Sequence, residues 1–203
     1  MFNPKKLKVT VTLTEEMLGM APASAEVYSD FIASKAPDAA TAEEEVQIFG
    51  VDSVVEKGTT VFPRDEDGDP FIWDYQIRGF FKDTCSALRR APGTESSKVK
   101  AFKKVIDGNI FVSPRRIKIH LQEGSEVGIC QRALRASTAQ GERTALASSE
   151  SVPEGSSFEF EVELFDPSME SAVREWFDFA QYRGFGQWRN SGKGRATCVV
   201  EKV

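Results

Sequence analysis

Histidine is nearly missing from this chain: His120 is the only one in 203 residues. Cysteine is scarce too, with Cys85, Cys130 and Cys198 scattered and odd in number. One imidazole and no closely spaced thiols leave no ligand set for a zinc-type centre. A Ser-His-Asp triad has one candidate base and no motif around it. His120 itself alternates with Arg116 and Lys118 and reads as a surface residue of a strand. Unpaired thiols point to a reducing setting, so each cysteine is read as a small buried hydrophobe of a cytoplasmic protein (host cytoplasm if viral). No apolar run approaches the ~20 residues that span a bilayer, so no membrane partner is expected. The opening MFNPKKLKVTVTL passes straight into alternation and reads as a strand, not a signal peptide. No metal and no cofactor are expected.

Net positive charge is also lacking, at −5 overall, but its distribution is uneven. Residues 1–70 carry 6 Lys+Arg and 14 Asp+Glu, residues 71–146 carry 14 and 7, and residues 147–203 carry 6 and 10. An acidic chain with a basic middle can hold a polyanion on one face and stay soluble through the rest.

The periodicities define a mixed chain. Lys8–Leu13 alternates as a half-buried strand. Met17–Ala23 reads as a loop. Ser24 and Thr41-Ala-Glu-Glu44 open two short helices, and Pro37 ends the first. Val51–Phe62 holds a strand or two, and Asp65–Pro70 is a turn with too few ligand positions for an EF-hand. Ile77, Phe80, Phe81, Thr84, Cys85 and Leu88 recur at helical spacing. Lys98–Ile106 is a basic helical segment. Phe111–Leu121 contains a strand, and Arg132–Thr144 is a hairpin with its tip near Gly141. Phe158–Leu164 alternates strictly. Met169–Tyr182 is helical, and Ala196–Val203 is the closing strand. The skeleton is β-α-β…β-α-β, an α+β, ferredoxin-like or RRM-like core with helices on one face of an antiparallel sheet and with helical and hairpin insertions.

The densest local signal is Arg183-Gly-Phe-Gly-Gln-Trp-Arg-Asn-Ser-Gly-Lys-Gly-Arg195. Gly184, Gly186, Gly192 and Gly194 allow close backbone approach to a rigid ligand. Arg183, Arg189, Lys193 and Arg195 supply charge for phosphates, and Phe185 and Trp188 supply flat faces for bases or anchor the loop in the core. Arg78, Lys82, Arg89 and Arg90 would meet phosphates beside the N-terminal part of their helix. Arg132, Arg135 and Arg143 on the hairpin complete the candidate contacts.

Several segments, in order, resemble the RAMP superfamily of CRISPR effector complexes, most closely the backbone subunits of type III complexes. Leu7–Leu13 with Met17–Ala21 resembles its first strand and small-residue loop. Trp73-Asp-Tyr-Gln-Ile-Arg-Gly79 resembles the second half of a helix-opening motif. Ala147–Phe158 resembles its Val-Pro-x-Gly-x-x-Phe strand entry, and residues 169–203 its closing helix, Gly-rich loop and strand. The resemblance implies one domain over 1–203 with insertions near 20–50 and 91–150, either in an effector complex or as a stand-alone or phage-encoded relative. It also implies a modified RRM core that grips single-stranded RNA, subunits stacked head to tail, and a projecting thumb. Some members cut RNA with an aspartate after the first strand; Asp30 and Asp38 lie beyond a helical stretch, so catalysis is not carried over.

The primary expectation is a non-catalytic single-stranded RNA- or DNA-binding protein, alone, in a homo-oligomer or filament, or in a ribonucleoprotein complex. The second is a protein-interaction module of anti-defence type, using the acidic residues Glu43–Glu45 and Asp65–Asp69. The third is a metal-dependent ribonuclease using Asp30 or Asp38.

Overall fold

The computed structural model describes residues 3–23, 59–138 and 141–203; for 22, 134–138 and 141–146 the description is of the backbone. The two helices expected after Ser24 and Thr41, and with them Asp30, Asp38 and Glu43–Glu45, lie outside the described residues. The chain divides into two compact units. The first comprises Met1–Met17, Pro63–Glu126 and Val152–Val203; the second comprises Leu18–Phe62 and Val127–Ser151.

The described elements begin with β1 (Lys5–Leu13), β2 (Met17–Leu18), β3 (Ala21–Pro22), β4 (Thr59–Val61) and β5 (Phe71–Trp73). Then come α1 (Asp74–Leu88), α2 (Phe102–Asn109), β6 (Ile110–Ser113), β7 (Arg116–His120), β8 (Gly128–Thr138) and β9 (Gly141–Val152). The chain closes with β10 (Ser157–Leu164), α3 (Glu170–Asp178) and β11 (Ala196–Lys202).

In the first unit the sheet runs β11-β1-β10-β7-β5, with β6 also on β10. The pairs β1–β10, β1–β11, β10–β6, β10–β7 and β5–β7 are all antiparallel. With β6 and β7 taken together as one strand position beside β10, this is the ferredoxin-like arrangement expected from the skeleton. Alternation decides which face is covered. Leu7, Val9 and Val11 of β1 and Phe158, Val162 and Leu164 of β10 are fully buried. They meet the apolar stripes of α1 (Ile77, Phe80, Phe81) and α3 (Val173, Trp176, Phe177). Aromatic rings lock the layers: Phe81 lies 5.3 Å from both Trp176 and Phe177, and Phe160 lies 6.0 Å from Phe177. Each such buried side chain contributes about 1.5–3 kcal/mol.

Three boundaries differ from the sequence reading. Phe111–Leu121, expected to contain a strand, holds parts of two, because Pro114 has no N–H to give the ladder. The helix expected over 98–106 is a 3-10 turn at Ser96–Lys98 followed by α2, with left-handed Ala101 between them. Met17–Ala23, expected to be a loop, contributes the two-residue strands β2 and β3.

The second unit is a sheet ordered β2-β9-β4-β3, with β8 pairing β9 as a long antiparallel hairpin. β4 runs parallel to β9, and the Thr60 and Ser149 hydroxyls meet at 2.7 Å.

Burial pushes the Cys198 thiol up to about 12 and raises Cys85 as well, which makes both poor nucleophiles. Glu170 opens α3 and receives Lys5 and Arg174, which hold its carboxyl down at about 2. A depressed carboxyl stabilises the fold above its unfolded value near 4.5 and loses that contribution as pH falls toward 2. Acid titration of unfolding should therefore show Glu170→Gln flattening the loss between pH 4.5 and 2. An unchanged acid limb would remove the ion cluster from the stability account.

Candidate nucleic-acid interface

The Gly-rich loop is closed by its own backbone. The Phe185 N–H donates to the Gly194 carbonyl at 2.8 Å, and the Gly194 N–H donates to the Glu16 carbonyl at 2.8 Å. A Cβ on Gly184 would stand 1.6 Å from the Gly194 oxygen, and one on Gly194 would stand 1.9 Å from the Phe185 oxygen. Gly186 and Gly192 turn the chain at positive φ. Phe185 is 3% exposed and packs 4.3 Å from Phe80. It is a core anchor and gives no face to a base, which corrects that part of the expectation. Trp188 is 37% exposed and sits in the left-handed region at φ 55, a conformation a non-glycine residue holds only at a cost.

The loop's cations are engaged within the molecule. Arg183 holds Asp83 through two bonds, Nε at 2.5 Å and Nη2 at 3.1 Å. Arg189 reaches the same carboxylate at 3.1 Å. Lys193 pairs with Glu16 at 2.5 Å. Arg195 is exposed. Thus Asp83 of α1 holds two of the loop's four cations, Arg183 and Arg189, and Glu16 holds a third, Lys193.

On α1 the four expected cations separate. Arg78 lies 3.4 Å from Asp74, and Lys82 lies 2.6 Å from Asp107. Asp74 and the Gln76 side chain, which accepts from the Trp73 N–H, occupy the helix N-terminus. That leaves the end of the helix where phosphate was expected already negative. Arg89 caps the opposite end and Arg90 follows it, so neither lies beside the N-terminal part. This is a correction to the sequence reading: both belong to a second basic region. Arg89 lies 5.2 Å over the ring of Phe102, which ties the end of α1 to the first turn of α2. Arg90, Lys100, Lys103 and Lys104 are exposed around that junction.

On the hairpin, Arg132 donates to the Ser149 hydroxyl at 3.0 Å. Register pairs Arg135 with Thr144 and Arg143 with Ala136. Arg132 and Arg143 therefore occupy positions of one hairpin face and Arg135 a position of the other.

On its two central strands, β1 and β10, the sheet surface away from the helices lacks the aromatic platform that RRM domains use. On β1 and β10 it carries Lys6, Lys8 and Thr10 against Glu159, Glu161 and Glu163, joined by ion pairs and a hydrogen bond of 2.9–3.7 Å.

Sequence reasoning did not single out the aromatic group where β5 becomes α1. Trp73 and Tyr75 stack at 6.2 Å with planes 15° apart, and Tyr75 is 52% exposed. The Arg115 and Arg116 guanidiniums stand 5.6 and 5.8 Å over the Trp73 ring. Pairing of β5 with β7 creates this meeting by setting Trp73 opposite Arg116. The available signal was the Trp-x-Tyr spacing beside a strand end.

Among the described residues the one group of three metal-capable side chains is Asp65, Asp67 and Asp69. Asp65 accepts from the amides of its own turn, and Asp69 pairs with Lys118. Among the described residues, no helix is long and apolar enough to cross a membrane.

No protein-family model matches the chain, and no curated protein matches it. Solved structures do. A chain of a type III-B Cmr-beta complex bound to cognate target RNA aligns over 98% of this chain with TM-score 0.54 and 12% identity. This chain spans 61% of that one. A chain of a type IV-B CRISPR complex aligns over 96% of this chain and 90% of its own length, with TM-score 0.44 and 13% identity. The Cmr-beta chain shares the fold described above.

Proposed function

We propose that this chain is a non-catalytic, single-stranded nucleic-acid-binding component of a ribonucleoprotein complex, with RNA as its strand. The observation that carries the reading is the basic junction of α1 and α2. Arg89, Arg90, Lys100, Lys103 and Lys104 cluster there, exposed and without a carboxylate partner among the described residues. The fold shared with a chain of an RNA-bound complex supports it. In the aspartate turn, Asp65 Oδ1 accepts from the Asp67 and Asp69 amides, and Asp69 pairs with Lys118.

A protein holding phosphates through this junction binds in a salt-dependent way. Each phosphate contact on a single strand adds about 0.7 to the slope of log affinity against log salt. Anisotropy with labelled single-stranded RNA should show a steep slope, and Lys103→Ala with Lys104→Ala should reduce it by about 1.4. Binding that is absent, or indifferent to salt, would overturn the proposal. Recovery of a nuclease-resistant stoichiometric protein would favour the interaction-module reading instead.

A further inference from the structure

We infer that Trp73, Tyr75, Arg115 and Arg116 form a distinct site for one unpaired nucleotide, its base stacked on the Tyr75 ring and its phosphate held by the two guanidiniums. The inference rests on the nucleic-acid reading above but uses different residues.

The rings are arranged for a flat ligand. Trp73 stands nearly parallel to Tyr75, and Phe71 meets Trp73 edge-on at 4.9 Å, which fixes the indole from behind. Phe71 is 3% exposed while Tyr75 is half exposed, so the group runs from the core outward to a free aromatic face. An exposed tyrosine stacked on an anchored tryptophan is a rigid surface that loses little side-chain freedom when a base covers it.

Charge selects the occupant. Arg115 and Arg116 are exposed and make no ion pair among the described residues, and Arg116 also lies 5.7 Å over Phe71. Arg115 is positioned by the chain as well as by its ring contact, because its carbonyl accepts the Asp74 N–H at 3.0 Å. Two guanidiniums beside an aromatic face present donors for phosphate oxygens next to a stacking plane, which together match a nucleotide. The Asp74 carboxylate at the helix start keeps phosphate off the α1 N-terminus and on the arginine side. Sequence tolerance follows, since every base has a π-face.

The test uses a labelled single-stranded oligoadenylate of about 12 nucleotides and the same strand with abasic sites, against the full chain and its Tyr75→Ala, Tyr75→Phe and Arg115→Ala/Arg116→Ala variants. Tyr75 is exposed, so a thermal melt of Tyr75→Ala should match the parent. The expected result is about tenfold weaker binding of the base-bearing strand by Tyr75→Ala, with Tyr75→Phe retaining affinity. The parent should bind the abasic strand about tenfold more weakly, and Tyr75→Ala should not weaken that further. The double arginine variant should also lower the salt slope by about 1.4. If Tyr75→Ala binds the base-bearing strand like the parent while the salt slope persists, the stacking site falls and the nucleic-acid reading stands. Equal weakening on both strands also overturns it, because the ring would then not be reading a base. A parent that binds neither strand overturns both readings.

Discussion

Gly184→Ala is expected to destabilise the protein by about 3 kcal/mol or more, and Gly194→Ala by a similar amount. The obstruction at both sites is backbone, not a side chain that can swing away. A methyl on Gly184 meets the Gly194 carbonyl at 1.6 Å, and a methyl on Gly194 meets the Phe185 carbonyl at 1.9 Å with φ at +69°. Relief requires separating the two backbone segments, which breaks the 2.8 Å bond from the Phe185 N–H to the Gly194 oxygen. Phe185 would then leave its place against Phe80 and Phe158. At about 2–4 °C per kcal/mol for a chain of this size, thermal unfolding followed by circular dichroism should fall by roughly 6–12 °C. Gly79→Ala is the control. Its Cβ meets open space on exposed helix, so it should gain about 0.5–1 kcal/mol. A Gly184→Ala variant that melts with the parent would remove the close approach from the description.

That expectation changes what the Gly-rich loop means. Its composition reads as a phosphate cradle, and its geometry is first a helix-to-strand clasp. Asp83 holds Arg183 and Arg189, and Glu16 holds Lys193. A strand contacting this loop would have to compete with carboxylates already in place. The exposed cations at the end of α1 and the start of α2 face no such competition among the described residues.

The fold was legible where one period ran uninterrupted. Phe158–Leu164 alternates and is β10; Ile77–Leu88 repeats at helical spacing and is α1. Where the period was broken by one residue, the boundary moved: Pro114 divided β6 from β7, and Ala101 separated the 3-10 turn from α2. The site was legible in residue type and not in partnership. Arg183 meets an aspartate 100 residues away, and Lys193 a glutamate 177 away, and such pairs leave no local pattern. The Trp73–Arg116 meeting is likewise a product of strand pairing. Charge counts found the basic middle of the chain; they could not show which of its cations were already neutralised.

Glu175 and Trp176 allow position and charge to be separated. Glu175 accepts from the Glu95 N–H at 2.7 Å and from the Ser96 N–H and hydroxyl at 2.9 and 2.6 Å. Ser96, fully buried, in turn accepts from the Trp176 indole N–H at 2.8 Å. This network pins the segment that leads into Lys98–Lys104. Trp176→Ala removes a fully buried ring and should cost about 3–5 kcal/mol, whereas Trp176→Phe should cost about 1 kcal/mol for the lost donor. Glu175→Ala leaves two amides and a hydroxyl without their acceptor and should cost about 2–3 kcal/mol. Hydrogen exchange should quicken at Glu95–Lys104 in that variant, while the amides of β1 and β10 keep their order of protection. The two effects on RNA affinity have opposite signs. Losing a negative charge strengthens binding to a polyanion, and releasing the segment scatters its lysines and weakens it. Weaker binding by Glu175→Ala at unchanged salt therefore means that the placement of the basic junction matters. Stronger binding means that the strand responds to net charge alone, and the α1–α2 junction would then lose its role as the defined contact.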